Sequence, residues 1–218
     1  MMYIISAITF SYLLGSLSSA VIVSKSLYGK DIRKYGSGNA GATNALRILG
    51  KKAGALVFIC DFSKGLLAVT AARCLVFFLN APYECILFAG FFAQLGHVIP
   101  LFFKFRGGKG VATSLGVILL LNWQIGVTVL IIALIIMAVS RYVSLGSVIA
   151  AIIYPILLTG YIMGAKGFEN AKTESQYAIV TGIIMALLLI IKHRSNLKRL
   201  SKGTENKLFS KKKGSANK

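Results

Sequence analysis

Long apolar segments separated by short, mostly basic ones constrain this chain more than any other feature. The first such segment, residues 3–23, carries no charged side chain and is long enough to cross the hydrocarbon core of a bilayer as a helix. The sequence is 56% hydrophobic and 14% charged, with a mean hydropathy of +0.74, values typical of membrane proteins and not of soluble domains. We therefore predict an all-α polytopic membrane protein, with one integral-membrane domain over residues 1–205 and a lysine-rich cytoplasmic tail over 206–218.

The apolar segments predict about seven transmembrane helices. Two of them are short, so residues 111–139 could instead form one long tilted helix. We choose two compact spans joined at Asn122 and Trp123, because only this choice places Arg141 on the same side as the basic loop around Lys109. The predicted spans cover residues 3–23, 54–79, 85–103, 111–121, 125–139, 145–163 and 177–191.

The distribution of positive charge predicts the orientation of the helices. The chain carries 25 Lys and Arg against 6 Asp and Glu, a net charge of +19, which in a soluble protein would suggest a nucleic-acid partner. Here most cations fall in four segments, 24–52, 103–110, 141–144 and 192–218, that the seven-span topology places on one face. By the positive-inside rule that face is cytoplasmic and the N-terminus lies outside, so the charge calls for no nucleic acid.

Residues 102–114 combine cations and glycines in the middle of apolar sequence. Glycine lets backbone N–H groups turn toward a ligand, and a helix that starts near Gly110 would add its own unpaired N–H groups. The stretch therefore predicts a pocket for an anion, although a positive turn anchored at lipid headgroups is the alternative. The residues concerned are Lys104, Gly107, Gly108, Lys109, Gly110 and Thr113.

A second polar segment, residues 35–47, matches the dinucleotide-binding pattern G-x-G-x-x-G at Gly36, Gly38 and Gly41. We reject a dinucleotide site, because no buried strand precedes the glycines and the acid about twenty positions on, Asp61, lies in an apolar run. What remains is flexible backbone with side chains that can bind phosphate or cap an ordinary turn, and the segment alone leaves both open. Those side chains are Ser37, Asn39, Thr43, Asn44 and Arg47.

Groups that could activate a nucleophile or hold a metal are scarce. No spacing supports a Ser/His/Asp grouping, and Cys60, Cys74 and Cys85 lack the spacing of a metal site or a disulfide framework. Asp61 and Lys64 share one helical face and predict an intramembrane ion pair, which we interpret as structural in preference to part of a site wall. The chemistry must then start from a substrate that is already activated, with no cofactor and no metal.

Four ordered motifs resemble those of the bacterial acyl-phosphate:glycerol-3-phosphate acyltransferase family (PlsY), from about residue 1 to residue 205. The motifs are Gly36-Ser37-Gly38-Asn39-x-Gly41-x-Thr43-Asn44-x-x-Arg47, His97-x-x-Pro100 through Lys104 and Gly107-Gly108-Lys109-Gly110-Val111-Ala112-Thr113, Arg141-Tyr142-x-Ser144-Leu145, and Lys192-His193-Arg194-x-Asn196-x-x-Arg199-Leu200-x-x-Gly203-x-Glu205. The chain departs from the family at Ser18, where a proline is expected, and in the lysine tail. Neither His97 nor His193 is followed four residues on by an acid, so the His-x4-Asp signature of acyl-CoA-dependent acyltransferases is missing.

The resemblance implies transfer of a fatty acyl group from acyl phosphate to the 1-hydroxyl of glycerol 3-phosphate, which gives lysophosphatidic acid and phosphate. It implies a monomer in the bacterial cytoplasmic (inner) membrane, with the active site on the cytoplasmic face and no cofactor. A membrane transporter and a structural membrane protein are the other function classes. A transporter should show repeat symmetry and a site at the midplane, whereas a structural protein has no need of glycines and cations clustered in four cytoplasmic segments.

The resemblance also implies roles for the residues. Ser37, Asn39, Thr43 and the backbone of 107–110 would hold the acyl-phosphate group, while Lys104 and Lys109 offset charge on the departing phosphate. The residues implied to orient glycerol 3-phosphate are Arg47, Ser144, His193 and Asn196, with Glu205 bracing the C-terminal segment. The further phosphate-binding residues implied are Gly38, Asn44, Gly107, Gly108, Gly110, Thr113 and Arg199. The hydroxyl proton would pass to the substrate's own phosphate, and His193 as general base ranks second.

Overall fold

The computed structural model describes residues 1–166 and 173–208, and every regular element in them is helical. The α-helices of this part of the chain are α1 (Met2–Gly15), α2 (Ser19–Tyr28), α3 (Ala42–Leu49), α4 (Lys51–Leu79), α5 (Glu84–Val98), α6 (Val111–Leu121), α7 (Trp123–Ser140), α8 (Val143–Lys166), α9 (Thr173–Lys192) and α10 (Arg194–Ser201). Two 3-10 helices, Ile32–Lys34 and Leu101–Phe103, lie in the connecting segments. The all-α prediction is confirmed, and the part of the predicted tail beyond residue 208 lies outside the described residues.

Six helical segments of the described chain are long and apolar enough to cross a membrane. They are Met2–Tyr28, Lys51–Leu79, Glu84–Phe103, Trp123–Ser140, Val143–Gly164 and Glu174–Lys192. The structure divides residues 111–139 into α6 and α7, as predicted, and the Ile125 N–H donates to Asn122 Oδ1 at 3.1 Å where α7 begins. Since α6 has only 11 residues, residues 1–166 and 173–208 contain six candidate spans and one shorter apolar helix. The count of seven spans and the orientation of the termini stay predictions.

The first predicted span, residues 3–23, is not one continuous helix. It ends at Gly15 and resumes at Ser19, because the Ser18 backbone, at φ −78° and ψ 89°, leaves the helical region. A break in apolar surroundings frees a carbonyl that water cannot reach. Lys64 Nζ donates to that carbonyl, on Leu17, at 3.1 Å. The break is therefore satisfied by a cation on another helix, which residues 3–23 alone could not show.

Glycines allow the helices around the site to approach at backbone distance. A Cβ atom on Gly15 of α1 would overlap the backbone of α5. Likewise, Gly65 of α4 lies against the Thr113 carbonyl of α6, and Gly116 of α6 lies against the Phe62 carbonyl of α4. Small residues promote this kind of close helix packing in membranes. The packing draws the start of α6 beside the charged residues of α4.

Asp61, Lys64 and His97 form a buried charged cluster. Their exposed fractions are 2%, 4% and 6%, so water contributes little to their solvation. Lys64 Nζ lies 2.9 Å from Asp61 Oδ1, and His97 Nδ1 lies 3.4 Å from the same oxygen. Thr113 Oγ1 donates to the Asp61 backbone carbonyl at 3.0 Å. The predicted ion pair on one helical face is confirmed, and it joins α4 to α5 and α6.

The four basic segments meet at one end of the bundle. Arg33 pairs with Asp31 at 2.7 Å and also donates to the Phe103 carbonyl at 2.9 Å, which ties residues 24–52 to the loop after α5. The hydrogen bond from Arg33 lowers the pKa of Asp31 to about 2. The Leu208 N–H donates to the Arg141 carbonyl at 2.8 Å, which joins the C-terminal segment to the α7–α8 junction. The segments that carry the predicted site therefore share one end.

Replacing Lys64 with Met is expected to destabilise the protein by about 3–5 kcal/mol, because it leaves the Asp61 carboxylate buried without its partner. It also leaves the Leu17 carbonyl without a donor. The measurement is thermal unfolding of the purified protein in detergent. Lys52→Met, at an exposed position of the same helix, is the matched control and should unfold like the wild type. The double variant Asp61→Asn, Lys64→Met should recover part of the loss, and equal stability of Lys64→Met and wild type would contradict the role of the pair.

Candidate active site

A cavity of about 310 Å³ opens where the four basic segments meet. Its mouth is polar, and α3, α6, α8, α9, α10 and their loops all contribute to it. The structure brings together many side chains that are far apart in sequence. The predicted site residues that line the cavity are Ser37, Asn39, Thr43, Asn44, Arg47, Lys109, Gly110, Ser144, His193, Asn196, Arg199 and Glu205.

The structure does not bring Lys104, Gly38, Gly107, Gly108 and Thr113 into the cavity wall. Lys104 and Gly38 are exposed on the surface, and both have left-handed backbone, at φ +57° and +70°. Thr113 is fully buried, and its hydroxyl donates to the Asp61 backbone carbonyl of α4. The motif spacing located these residues correctly in the loops and the helix start but did not reveal the direction that each faces.

Gly107 and Gly108 support the site from behind. The Gly108 N–H donates to the His97 carbonyl at 3.1 Å, and a Cβ atom at Gly108 would overlap the His97 ring and the Ala40 carbonyl. The loop can lie this close to α5 and to residue 40 only because it lacks side chains there. In the structure both glycines pack closely against His97, and the contact of this loop with an anion stays a prediction.

Asn44 organises the loop over residues 35–44. Its side-chain amide nitrogen lies within hydrogen-bonding distance of the Tyr35 and Asn39 carbonyls, at 3.0 and 3.1 Å. Its Oδ1 accepts from the Ser37 N–H at 3.1 Å. Because the amide is engaged by its own loop, Asn44 shapes the cavity wall, and the Ser37 hydroxyl and the side chains of Asn39 and Thr43 remain for a ligand. Between the two interpretations left open for this segment, the structure assigns Asn44 to the turn.

The start of α6 supplies backbone donors to the cavity. Gly110 precedes the helix with φ +84°, a left-handed conformation that glycine adopts without strain. Gly110, Val111 and Ala112 all line the cavity, and the first N–H groups of a helix have no acceptor within it. A helix start that faces a cavity in this way favours a phosphate or carboxylate group.

Lys109, Asn196 and Glu205 form a chain of hydrogen bonds across the cavity mouth. Lys109 Nζ donates to Asn196 Oδ1 at 2.5 Å, and Asn196 Nδ2 donates to Glu205 Oε1 at 2.7 Å. The same carboxylate accepts from Ser144 Oγ at 3.0 Å and from Arg199 Nε at 2.7 Å. Glu205 therefore joins residues 102–110, which we call the Gly/Lys loop, to α8 and α10.

The electrostatics of the mouth follow from this network. Burial opposes the charge on Glu205, but the hydrogen bonds from Asn196, Arg199 and Ser144 outweigh it and hold the Glu205 pKa below its usual value. Burial lowers the pKa of Lys109 to about 8, although the Glu205 charge acts in the opposite direction. Lys109 is thus a cation at neutral pH, but partial burial raises the free energy of its charged form. A bound anion would stabilise that form.

His193 is neutral at physiological pH. Burial and then the nearby Lys109 ammonium lower its pKa to about 4. Its Nδ1 lies 2.9 Å from the Leu189 carbonyl, which can only accept, so the proton is on Nδ1. Nε2 therefore has a free lone pair, and His193, which lines the cavity, can accept a hydrogen bond from a hydroxyl group.

Arg47 is a guanidinium of the cavity wall that has no partner among residues 1–166 and 173–208. It lines the cavity from α3 and makes no hydrogen bond or ion pair with residues 1–166 or 173–208 within the usual distances. Arg199 also lines the cavity but is held by Glu205 at 2.7 Å. A free guanidinium presents two parallel donors that match phosphate geometry. An unpaired guanidinium in the cavity wall can bind an anion such as a phosphate group.

Asp61 and His97 also line the cavity, whereas Lys64 does not, so one member of the predicted ion pair contributes to the cavity wall as well. The sequence signal for Asp61 was the ion pair with Lys64. His97 gave no comparable signal, because the partner it meets lies on another helix. Ser114 and Asn206 complete the polar lining that sequence reasoning missed.

An apolar arm continues the cavity from the polar mouth into the bundle. It lies among α6, α7, α8 and α9, and Phe58 of α4 flanks it. Its main lining residues are Leu115, Ile118, Val129, Leu130, Ala133, Leu134, Met137, Ala150, Ala151, Tyr154, Met185, Ala186 and Leu189. One cavity therefore offers cations and backbone donors at one end and hydrocarbon contacts at the other.

Comparisons with known proteins agree with this arrangement. The model of the family described as "Glycerol-3-phosphate acyltransferase" matches residues 5–203. A relative of that name from Coxiella burnetii (strain RSA 493 / Nine Mile phase I) is 45% identical over 208 residues, which cover 95% of this chain and 99% of the relative. One from Thermoanaerobacter sp. (strain X514) is 40% identical over 207 residues, which cover 95% and 96%.

Two solved structures have a similar fold. The crystal structure of PlsY, an integral membrane glycerol 3-phosphate acyltransferase, in its glycerol 3-phosphate form is 36% identical with a TM-score of 0.82 and covers 95% of this chain and 96% of that one. The lysophosphatidic acid form is 35% identical with a TM-score of 0.79, and the match covers 94% of each chain.

Replacing Glu205 with Ala is expected to loosen α10, because Asn196 and Arg199 lose a charged acceptor worth about 1.5–3 kcal/mol per hydrogen bond. Hydrogen–deuterium exchange in detergent should show amides of residues 194–204 exchanging at least about tenfold faster. Glu84→Ala, at the other end of α5 from His97, is the matched control and should leave that region unchanged. Unchanged exchange in Glu205→Ala would show that the carboxylate does not hold the segment.

Proposed function

Because the chain belongs to the glycerol-3-phosphate acyltransferase family, it acylates glycerol 3-phosphate to lysophosphatidic acid, and we propose that the acyl donor is an acyl phosphate. The observation that carries this proposal is the single cavity with a cationic, N–H-rich mouth and an apolar arm. A fatty acyl phosphate carries an anionic phosphate group, which suits the mouth, and an apolar acyl chain, which suits the arm. The acyl chain would lie in the arm, and the mixed anhydride would lie at the junction with the mouth.

The start of α6 and Lys109 suit the donor's phosphate, together with the Ser37 hydroxyl and the side chains of Asn39 and Thr43. These groups lie on two loops that pack directly on each other at Gly108 and the Ala40 carbonyl. Charge builds on the phosphate oxygen as the anhydride bond breaks, and fixed donors stabilise that charge without reorganising. Lys109, held at Asn196, takes the role that the motif also suggested for Lys104, since Lys104 is exposed outside the cavity wall.

Arg47 is proposed to bind the phosphate of glycerol 3-phosphate. Ser144 and Asn196 face the same cavity, and each retains a lone pair for a glycerol hydroxyl beyond its bonds to Glu205 and Lys109. His193 Nε2 accepts a hydrogen bond from a glycerol hydroxyl and so helps to orient the substrate. Arg199 contributes positive charge at the rim while it stays paired with Glu205.

The reaction is a single acyl transfer. The 1-hydroxyl oxygen attacks the acyl carbon, the bond from that carbon to the phosphate oxygen breaks, and phosphate leaves with the bonding electrons. The hydroxyl proton passes to an oxygen of the departing phosphate. A histidine with a pKa of about 4 is a weak base at pH 7, which favours this route over His193 as general base. The protein supplies placement and charge, and the anhydride supplies the driving force.

We further propose that the protein is a monomer in the bacterial inner membrane, with the N-terminus outside and the site on the cytoplasmic face. The convergence of the basic segments at the cavity end supports this orientation. The short helix α6 would count as a seventh, incomplete crossing. Residues 1–205 would form the single membrane domain, and the lysine-rich segment 206–218 would be a cytoplasmic tail.

The purified protein is expected to release phosphate from acyl phosphate only when glycerol 3-phosphate is present, with one lysophosphatidic acid formed per phosphate. Ser37→Ala, Arg47→Ala and Lys109→Ala should each lower kcat/KM at least about 100-fold, as for removal of one charge-stabilising donor. Lys104→Ala should cost less than about tenfold, and Lys52→Ala should match the wild type. Near wild-type rates for the first three variants would overturn the site, and glycerol 3-phosphate uptake into vesicles without phosphate release would favour a transporter.

The pH dependence of kcat/KM should report the Lys109 ammonium of the free enzyme. The charged form predominates below pH 8 and is lost above it, because the Lys109 pKa is about 8. We therefore expect kcat/KM to fall as pH rises through about 8, after subtraction of uncatalysed hydrolysis. Lys109→Arg keeps its charge throughout this range, so whatever activity it retains should not fall there. A wild-type profile that is flat to pH 9.5 would contradict the requirement for the Lys109 charge.

A further inference from the structure

The apolar arm of the cavity ends inside the bundle. Along α8 the lining runs from Ser144 at the mouth to Tyr154, a helical rise of about 15 Å. Along α9 it runs from His193, just after the helix ends, to Met185, a rise of about 12 Å. On these two helices, which run in opposite directions, the lining ends at a similar depth, so the arm has a definite length.

Buried side chains close the far end of the arm. One buried cluster includes three residues that line the arm, Ile118, Val129 and Tyr154. The same cluster includes residues outside the lining, among them Leu158. Tyr154 contributes the largest of these side chains and is only 5% exposed. The cluster members outside the lining, Ile125, Leu158 and Ile162, lie beyond Tyr154, so among the described residues the lining of the cavity ends at this cluster.

The Tyr154 ring packs against the backbone of a glycine on the facing helix. A Cβ atom on Gly182 of α9 would lie 3.2 Å from Tyr154 Cε1 and 3.3 Å from Leu158 Cδ2. The ring therefore reaches from α8 onto the surface of α9 at a position where the facing residue has no side chain. A larger residue at 182 would press on the ring, because 3.2 Å is tighter than an ordinary contact between carbon atoms.

We propose that Tyr154, seated on Gly182, is the residue that limits the length of acyl chain the enzyme accepts. An extended hydrocarbon chain advances about 1.25 Å per carbon, as follows from ordinary carbon–carbon bond lengths. An arm of about 12–15 Å thus holds about ten to twelve carbons. Longer chains must fold back or leave sideways past Phe58 and Leu134, which border the arm and are exposed on the outside of α4 and α7. This inference rests on the proposed acyl-phosphate donor.

The test is a competition between donors in one reaction. Dodecanoyl phosphate and hexadecanoyl phosphate are mixed at equal concentration in the same detergent micelles with glycerol 3-phosphate, and mass spectrometry gives the ratio of the two lysophosphatidic acids. The ratio does not depend on how much of a variant folds, because both products come from the same molecules. Tyr154→Ala should raise the ratio of the sixteen-carbon to the twelve-carbon product at least about tenfold, the usual effect of relieving a misfit in an apolar pocket.

Gly182→Ala should change the ratio in the opposite direction, because the added methyl group presses the Tyr154 ring toward the arm. Two controls lie on α8. Tyr161→Ala removes a ring that is 50% exposed, and Gly160→Ala adds a methyl group where no atom lies within 4 Å. Both should keep the wild-type ratio.

The outcomes separate the two proposals. If the wild type makes no lysophosphatidic acid from either acyl phosphate, the donor proposal fails and this inference fails with it. If the wild type is active but Tyr154→Ala keeps the wild-type ratio, only the length limit is overturned. A wild-type product ratio in Gly182→Ala would show that packing against Gly182 does not position the Tyr154 ring. A change in Tyr161→Ala equal to that in Tyr154→Ala would refute the assignment of the length limit to Tyr154.

Discussion

The buried contact of Asp61, Lys64 and His97 supports most of the structure around the site. Water solvates neither the Asp61 carboxylate nor the Lys64 ammonium in these apolar surroundings, so each charge is stabilised mainly by the other. The cluster also reaches beyond its own helices. Lys64 bonds the carbonyl freed between α1 and α2, Thr113 of α6 bonds the Asp61 backbone, and the His97 carbonyl accepts from Gly108. The Gly/Lys loop and the start of α6 are thus both hydrogen-bonded to residues of this buried cluster, two of which also line the cavity.

The polar groups of the cavity divide into those that hold one another and those that are free. Lys109, Asn196, Ser144 and Arg199 all connect to Glu205, directly or through one neighbour. Arg47 and the N–H groups at the start of α6 have no such partner among the described residues. This division suits the proposed acyl transfer from an activated donor, because fixed dipoles stabilise charge without reorganising and the free groups would be available for the two phosphates.

Sequence reasoning located most of the polar site, since cations, glycines and amides in four apolar-flanked segments are rare enough to mark a function. It was less successful in predicting which way individual side chains point. Thr113 lies within the motif but turns to α4, and Lys104 lies five residues before Lys109 but is exposed. Spacing along a loop does not specify φ and ψ, and the left-handed backbone at Lys104 depends on the packing of the whole loop.

The sequence by itself determined that this chain is helical, that it spans a membrane several times and that its cations and glycines gather in four segments, because hydropathy and charge act residue by residue. Only the tertiary structure decided where the first span breaks, which buried groups support the Gly/Lys loop and where the apolar arm ends. Side chains that face lipid and side chains that face an acyl groove are equally apolar, so composition cannot separate them. That distinction arises only when helices distant in sequence pack together and leave a space between them.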